Sequence, residues 1–149
     1  MNLKRRVILA GLVVLPFCGL ASAQDVALLP AEEAFQIGAR QDGPGRIAVD
    51  FKIAPGYILY RDRFAFASDA PLVKLVNPRF PIPAEKFDKV LEKQVSYYEG
   101  RMSVSLDVSG QSQPFRLKVQ VQGCAVEAGV CYPPYSKEFQ VPALASKGR

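Results

Sequence analysis

The sequence predicts an all-β domain, an immunoglobulin-like β-sandwich in preference to a barrel. Three observations predict it. First, three stretches alternate apolar and polar residues: Ile47, Val49, Phe51 and Ile53; Met102, Val104, Leu106 and Val108; Phe115, Leu117, Val119 and Val121. A period of two puts every second side chain on one buried face of a strand. Second, turn-forming clusters separate these stretches, among them Gln41-Asp42-Gly43-Pro44-Gly45, Pro55-Gly56 and Gly110 to Pro114. Third, no long amphipathic helix and no internal repeat interrupts the pattern. Short strands divided by turns build a sandwich or a barrel.

In chain order, Asp25 to Gly45 reads as a mixed lead-in, with Pro30 to Phe35 making a short turn or edge element. Arg46 opens the first alternating strand. Tyr57-Ile58-Leu59-Tyr60 and Arg63 to Ala67 are the next extended pieces, and Leu72 to Val76 is a short strand ended by Asn77-Pro78. Pro78 to Gln94 begins with Pro78, Pro81 and Pro83 and continues as a charged run from Glu85 to Lys93. Proline cannot donate to a strand ladder, so this stretch is expected to be a surface loop. The strands Arg101 to Val108 and Phe115 to Val121 follow, and Glu138 to Val141 forms the last.

Residues 1–23 read as a cleaved signal peptide, leaving 24–149 as one domain. Lys4, Arg5 and Arg6 form a basic start, Val7 to Leu20 is almost wholly apolar, and Ala21-Ser22-Ala23 supplies small residues for cleavage. The apolar run is shorter than the roughly 20 residues that a membrane-spanning helix needs. Lipidation at Cys18 is disfavoured because Phe17, a large residue, precedes it. Cleavage removes three basic residues and no acid, so the formal charge falls from +5 to +2. A small, dispersed charge gives no case for nucleic-acid binding, which needs clustered Lys and Arg. No second apolar run is long enough to span a membrane, so the mature protein is expected to be soluble and exported to the periplasm.

Histidine is absent. No Ser-His-Asp or Cys-His nucleophile can be assembled, and no imidazole is available to a metal. Once Cys18 leaves with the signal, Cys124 and Cys131 remain. Two cysteines do not make a four-thiolate zinc site, and in an exported protein they can form a disulfide.

The informative stretch is Val121-Gln122-Gly123-Cys124-Ala125-Val126-Glu127-Ala128-Gly129-Val130-Cys131-Tyr132-Pro133-Pro134. It follows directly on the Phe115 to Val121 strand. A hairpin here would bring the two Cα atoms near disulfide distance, and Gly123 and Gly129 permit tight turns beside each sulfur. Two readings stand at this point. The pair is a structural staple, adding about 2.5 kcal/mol by loop closure, or it is redox-active. Along the chain neither cysteine has Lys, Arg or His beside it, and Glu127 lies between them. Such a thiol is a reluctant thiolate, which suits a relay opened by a partner's thiolate better than a broad-range oxidant.

Gln122-Gly123-Cys124 and Ala128-Gly129-Val130-Cys131-Tyr132-Pro133-Pro134 closely resemble the amino-terminal periplasmic domain of the thiol:disulfide interchange proteins of the DsbD family. Gly56-Tyr57-Ile58-Leu59-Tyr60-Arg61 resembles the family's aromatic strand segment. Lys93 to Arg101, with Tyr97-Tyr98, resembles the strand after the family's cap loop. The resemblance implies an immunoglobulin-like sandwich with the cysteine pair at one end, working as a disulfide reductase relay with no cofactor besides the Cys124–Cys131 disulfide. Electrons would arrive from a thioredoxin-like donor linked to a membrane protein. They would leave to a periplasmic disulfide isomerase or a thioredoxin-like cytochrome c maturation protein. Cys131 would form the mixed disulfide with partners and Cys124 would resolve it. Tyr57, Tyr60 and Tyr132 would line the site. Against this stands a non-catalytic binding or assembly module with a purely structural disulfide.

The chain departs from the family pattern in three places. One extra residue lies between the cysteines, around Val126-Glu127, and bears on loop geometry and redox potential. The stretch matching the cap loop is Asp88-Lys89-Val90-Leu91-Glu92, which has no aromatic residue. Asp88 matches an acidic residue of that loop, and Val90 or Leu91 is expected to shield the disulfide. Family members continue into a transmembrane segment and a thioredoxin-like domain, whereas this sequence stops at Arg149. A separate membrane protein is therefore expected to link to its donor.

Overall fold

A computed structural model of the chain describes residues 27–89, 91–110 and 113–143. The segment read as a signal peptide, residues 1–23, lies outside the described residues, as does Val90. Among the described residues, no helix is long and apolar enough to cross a membrane.

The strands are β1 (Phe35–Gln41), β2 (Arg46–Ile53), β3 (Tyr57–Tyr60), β4 (Ala65–Ser68), β5 (Lys74–Arg79), β6 (Ala84–Asp88), β7 (Lys93–Tyr98), β8 (Arg101–Ser109), β9 (Phe115–Val121), β10 (Gly123–Ala125), β11 (Val130–Cys131) and β12 (Tyr135–Val141). They form antiparallel sheets ordered β1-β2-β8-β5, β11-β10-β3-β7-β6 and β12-β9-β4. The second and third sheets are stitched together where β9 runs into β10: the Tyr60 N–H donates to the Gln122 carbonyl. The first sheet packs on this combined layer, which makes an immunoglobulin-like sandwich.

The three alternating stretches supply the core. Ile47, Val49, Phe51 and Ile53 of β2, Val104 and Leu106 of β8, and Phe115, Leu117, Val119 and Val121 of β9 are all buried in one cluster. Each of these side chains removes enough apolar surface from water to contribute about 1.5–3 kcal/mol. Tyr57 and Leu59 of β3 join them. Ile58 and Tyr60 point the other way, into a smaller cluster with Val95 and Cys124. This pleat decides which side chains reach the sulfurs.

Three readings of the sequence need correction. The lead-in contains a full strand, β1, after a short helix (Ala31–Ala34); Phe35 and Ile37 alternate into the core there. The strand before Pro78 does not stop at Asn77-Pro78. β5 continues to Arg79 through a bulge, because the register slips by one residue between Val76 and Arg79 and Asn77 takes φ 52°. Pro78 is tolerated since β5 is an edge strand. Pro78 to Gln94 is likewise not a loop throughout. Ala84 to Asp88 pairs with Lys93 to Tyr97 as a hairpin, with β6 on the sheet edge. The prolines are confined to the bulge and to the connector between it and β6.

Candidate functional site

The cysteines sit on a short hairpin at one end of the second sheet. Gly123 starts β10 in register with Leu59 of β3, and Cys124 faces Ile58. A Cβ at Gly123 would collide with the Ile58 carbonyl oxygen, so only glycine lets β10 lie this close to β3. Cys124 pairs with Cys131, their Cα atoms 3.9 Å apart, and the two are joined by a disulfide. The Tyr132 N–H donates to the Gly123 carbonyl. The neighbouring Cys124–Cys131 pair therefore occupies the non-hydrogen-bonded position, where opposed side chains come closest. The turn between them closes with Gly129 at φ 63°, a conformation that favours glycine.

The two sulfurs differ in access. Cys124 is 4% exposed, packed with Ile58, Tyr60 and Val95, whereas Cys131 is exposed. A cleft of about 240 Å3 opens beside them, lined by Tyr60, Lys86, Phe87, Asp88 and Lys89 and by the hairpin itself. The Tyr60 hydroxyl lies 3.2 Å from Cys124 Sγ and donates to Asp88 Oδ2 at 2.8 Å. Asp88 is the buried charged residue of the described chain, and its Oδ1 accepts the Leu91 N–H at 3.0 Å. Burial, reinforced by the hydrogen bond to Asp88, pushes the Tyr60 phenol up to about 12. It therefore stays protonated at neutral pH, with one hydrogen to share between a carboxylate and a sulfur.

Of the tyrosines expected beside the sulfurs, the structure brings only Tyr60 there. Tyr57 is one pleat out of step. Its ring packs edge-on against Phe35, and its hydroxyl accepts the Leu29 N–H. Tyr132 joins the same aromatic group and donates to the Leu29 carbonyl. Both belong to the core cluster side of the sheet, since side chains alternate along β3 and from Cys131, at the end of β11, to Tyr132. In the cap, Leu91 is exposed and contributes its backbone N–H rather than a shielding side chain.

Sequence reasoning missed three residues. The cap stretch itself lacks an aromatic, yet Phe87, the residue before it, lines the cleft with 58% exposure. Lys86 and Lys89 line it as well, so the cations absent beside the cysteines along the chain arrive across space from the β6–β7 hairpin. Reading Pro78 to Gln94 as an unpaired loop hid them, and Glu85-Lys86-Phe87-Asp88 carries no apolar alternation that marks a strand. A larger hollow of about 820 Å3, with Gly38, Asp50 and Arg101 in its lining, faces outward from the first sheet and holds neither sulfur. Among the described residues, no group of three or more His, Cys, Asp or Glu is placed to hold a metal ion.

Fold and site define a class: immunoglobulin-like sandwich domains that carry one cross-strand disulfide at the end of a sheet, with one sulfur open and one covered. Residues 25–143 match the family described as thiol:disulfide interchange protein DsbD, N-terminal. The chain belongs to that family. It is 37% identical over 145 residues to the thiol:disulfide interchange protein DsbD of Ralstonia nicotianae, a match covering 95% of this chain and 24% of that protein. The Neisseria meningitidis serogroup A protein of the same name is 36% identical over 132 residues, covering 87% of this chain and 21% of its own length. The chain thus spans about a quarter or less of these relatives. Among solved structures, the reduced N-terminal domain of Neisseria meningitidis DsbD superposes with a TM-score of 0.69 at 32% identity, over 79% of this chain and 92% of that one. A complex of the DsbD and PilB N-terminal domains from the same organism gives 0.63 at 30% identity, over 81% and 94%.

Proposed function

We propose that residues 24–149 form a periplasmic thiol–disulfide relay, delivered by a cleaved signal peptide at 1–23. The relay takes electrons from a thioredoxin-like donor and reduces disulfides of thioredoxin-fold clients. The observation that carries this reading is the asymmetry of the disulfide: Cys131 exposed, Cys124 buried against Tyr60. The resemblance of the chain to a DsbD domain solved in complex with a PilB domain supports a protein partner at this site.

The donor's thiolate attacks Cys131 Sγ, which it can reach. The Cys124–Cys131 bond breaks, a mixed disulfide forms at Cys131, and Cys124 leaves as a thiolate. As Cys124 leaves, the Tyr60 hydroxyl, 3.2 Å away, turns its one hydrogen from Asp88 to the departing sulfur. The donor's second thiol then attacks the mixed disulfide, releasing an oxidised donor and the reduced Cys124–Cys131 pair. In the onward step the reduced Cys131 attacks a client disulfide and Cys124 resolves the product, returning the bridge. Each cycle moves two electrons and two protons.

The test is a trap. With Cys124 replaced by Ala, Cys131 should hold a thioredoxin-fold partner as a stable mixed disulfide, visible on a non-reducing gel and released by dithiothreitol. If Cys131→Ala traps instead, the two roles are reversed. The potential of the wild-type pair should lie above about −300 mV; a value far below that marks a resistant structural bond.

A further inference from the structure

Lys86 and Lys89 belong to no part of the exchange chemistry just described, yet both line the cleft beside Cys131. The Lys86 ammonium lies 5.3 Å from the Tyr97 ring centroid, and Tyr97 packs on the cluster that contains Cys124 and Tyr60. Its charge is thus held over the site by a cation–π contact. Among the described residues neither lysine makes a salt bridge, whereas Arg40, Arg46, Arg79 and Arg116 all pair with carboxylates. Among the described residues the carboxylate in the cleft lining is Asp88, buried and engaged by the Tyr60 hydroxyl and the Leu91 N–H. Glu85 and Glu92 on the same hairpin, and Glu127 in the cysteine turn, are not in the lining. The mouth of the cleft is therefore cationic, beside the exposed apolar surfaces of Phe87 and Val126.

We infer that Lys86 and Lys89 make this site selective for a partner whose reactive thiol stands in an acidic rim. The inference rests on the exchange reading and adds a charge preference to it. The attacking species is an anion, and a cationic mouth raises its local concentration and favours a carboxylate-bearing partner surface. The preference acts on the attack at Cys131 alone. A thiolate bonds to Cys131 Sγ, Cys124 leaves and is protonated, and a second thiolate then releases the reduced pair and the oxidised thiol.

Small thiols of graded charge test it. The oxidised wild-type protein is reduced with mercaptoethanesulfonate, mercaptoethanol and cysteamine, and each rate is corrected for thiolate fraction and normalised to the neutral thiol. At low salt the anionic-to-cationic rate ratio should fall about three- to tenfold in Lys86→Gln/Lys89→Gln. Adding about 0.5 M salt should bring the wild-type ratio down toward that of the variant. Lys118→Gln, the loss of one charge at an exposed position on β9, should leave the ratio alone. An unchanged ratio in the double variant, or an equal fall in Lys118→Gln, overturns the inference while leaving the relay intact. A disulfide that no thiol of any charge opens would remove the relay reading itself, and this inference with it.

Discussion

Replacing Tyr60 by Phe removes one hydroxyl and keeps the ring packed against Ile58, Val95 and Cys124. The lost interaction is the 2.8 Å hydrogen bond to Asp88, a carboxylate with 7% exposure. A hydrogen bond to a buried charged group contributes roughly 1.5–3 kcal/mol, because water cannot replace it. For a domain of this size each kcal/mol moves Tm by roughly 3–6 °C, so a fall of about 5–15 °C is expected. The assay is thermal and urea unfolding of the oxidised protein at pH 7, followed by circular dichroism. The pH dependence adds a second check. The folded Tyr60 value of about 12 is raised above the unfolded one. Its contribution is therefore complete below the unfolded tyrosine value of about 10 and is lost as pH climbs through about 12. The gap between wild type and variant should be flat up to about pH 10 and close above it. A loss below about 0.5 kcal/mol at pH 7, or a gap that persists unchanged into strong alkali, would refute the claim that Tyr60 holds Asp88.

Three further substitutions probe packing and charge in the domain. Gly123→Ala forces a Cβ into the Ile58 carbonyl oxygen, a backbone atom that cannot rotate away; it should cost about 2–4 kcal/mol, and an unshifted urea midpoint would contradict the close approach of β10 to β3. The Arg79 guanidinium, aided by Asn77, holds the Asp107 carboxyl well below the usual carboxylate range. The stability it lends is present above the unfolded carboxylate value and is lost as pH falls through the folded one, so Asp107→Asn should flatten the acid limb of a urea-midpoint profile below about pH 4. Phe87→Ala should speed alkylation of the reduced pair by about two- to threefold, measured by quenched mass spectrometry, whereas Leu91→Ala should change it less, since that side chain does not line the cleft.

Those parts of the fold governed by a single period were legible. β2, β8 and β9 announce themselves because each buries one face, and their inward residues are the ones the alternation names. β1 was obscured because Gly38 and Ala39 weaken the contrast between its faces after Phe35 and Ile37. β6 was obscured because, as an edge strand, it leaves most of its side chains exposed, so no apolar period survives to mark it. The site divided along the same line. Local sequence placed the cysteines in one hairpin, since the partners are seven positions apart. It could not say which face of β3 meets them. That depends on whether Ile58 or Leu59 stands opposite Cys124, a register set by Gly123 and invisible along one strand.

A staple and a relay make opposite demands on a disulfide, and these demands bear on the choice between them. A staple serves best when it spans a long loop and lies inside the core, out of reach of thiols. This bridge closes a short hairpin, worth about 2.5 kcal/mol of chain entropy, on a domain whose main core does not contain it. Breaking it leaves β10 held by β3, and the two-residue β11 at the sheet edge still anchored by the Tyr132 N–H on the Gly123 carbonyl. The reduced protein should therefore keep its sandwich, with Cys131 close to where the oxidised form has it. A carrier needs that property, because both redox states must be folded and only a small free energy may separate them. Reduction should accordingly lower Tm by no more than about 15 °C and leave the far-ultraviolet spectrum unchanged. Global unfolding on reduction would mean that the bridge holds the domain together, and a bond with that role cannot be opened in every catalytic turn.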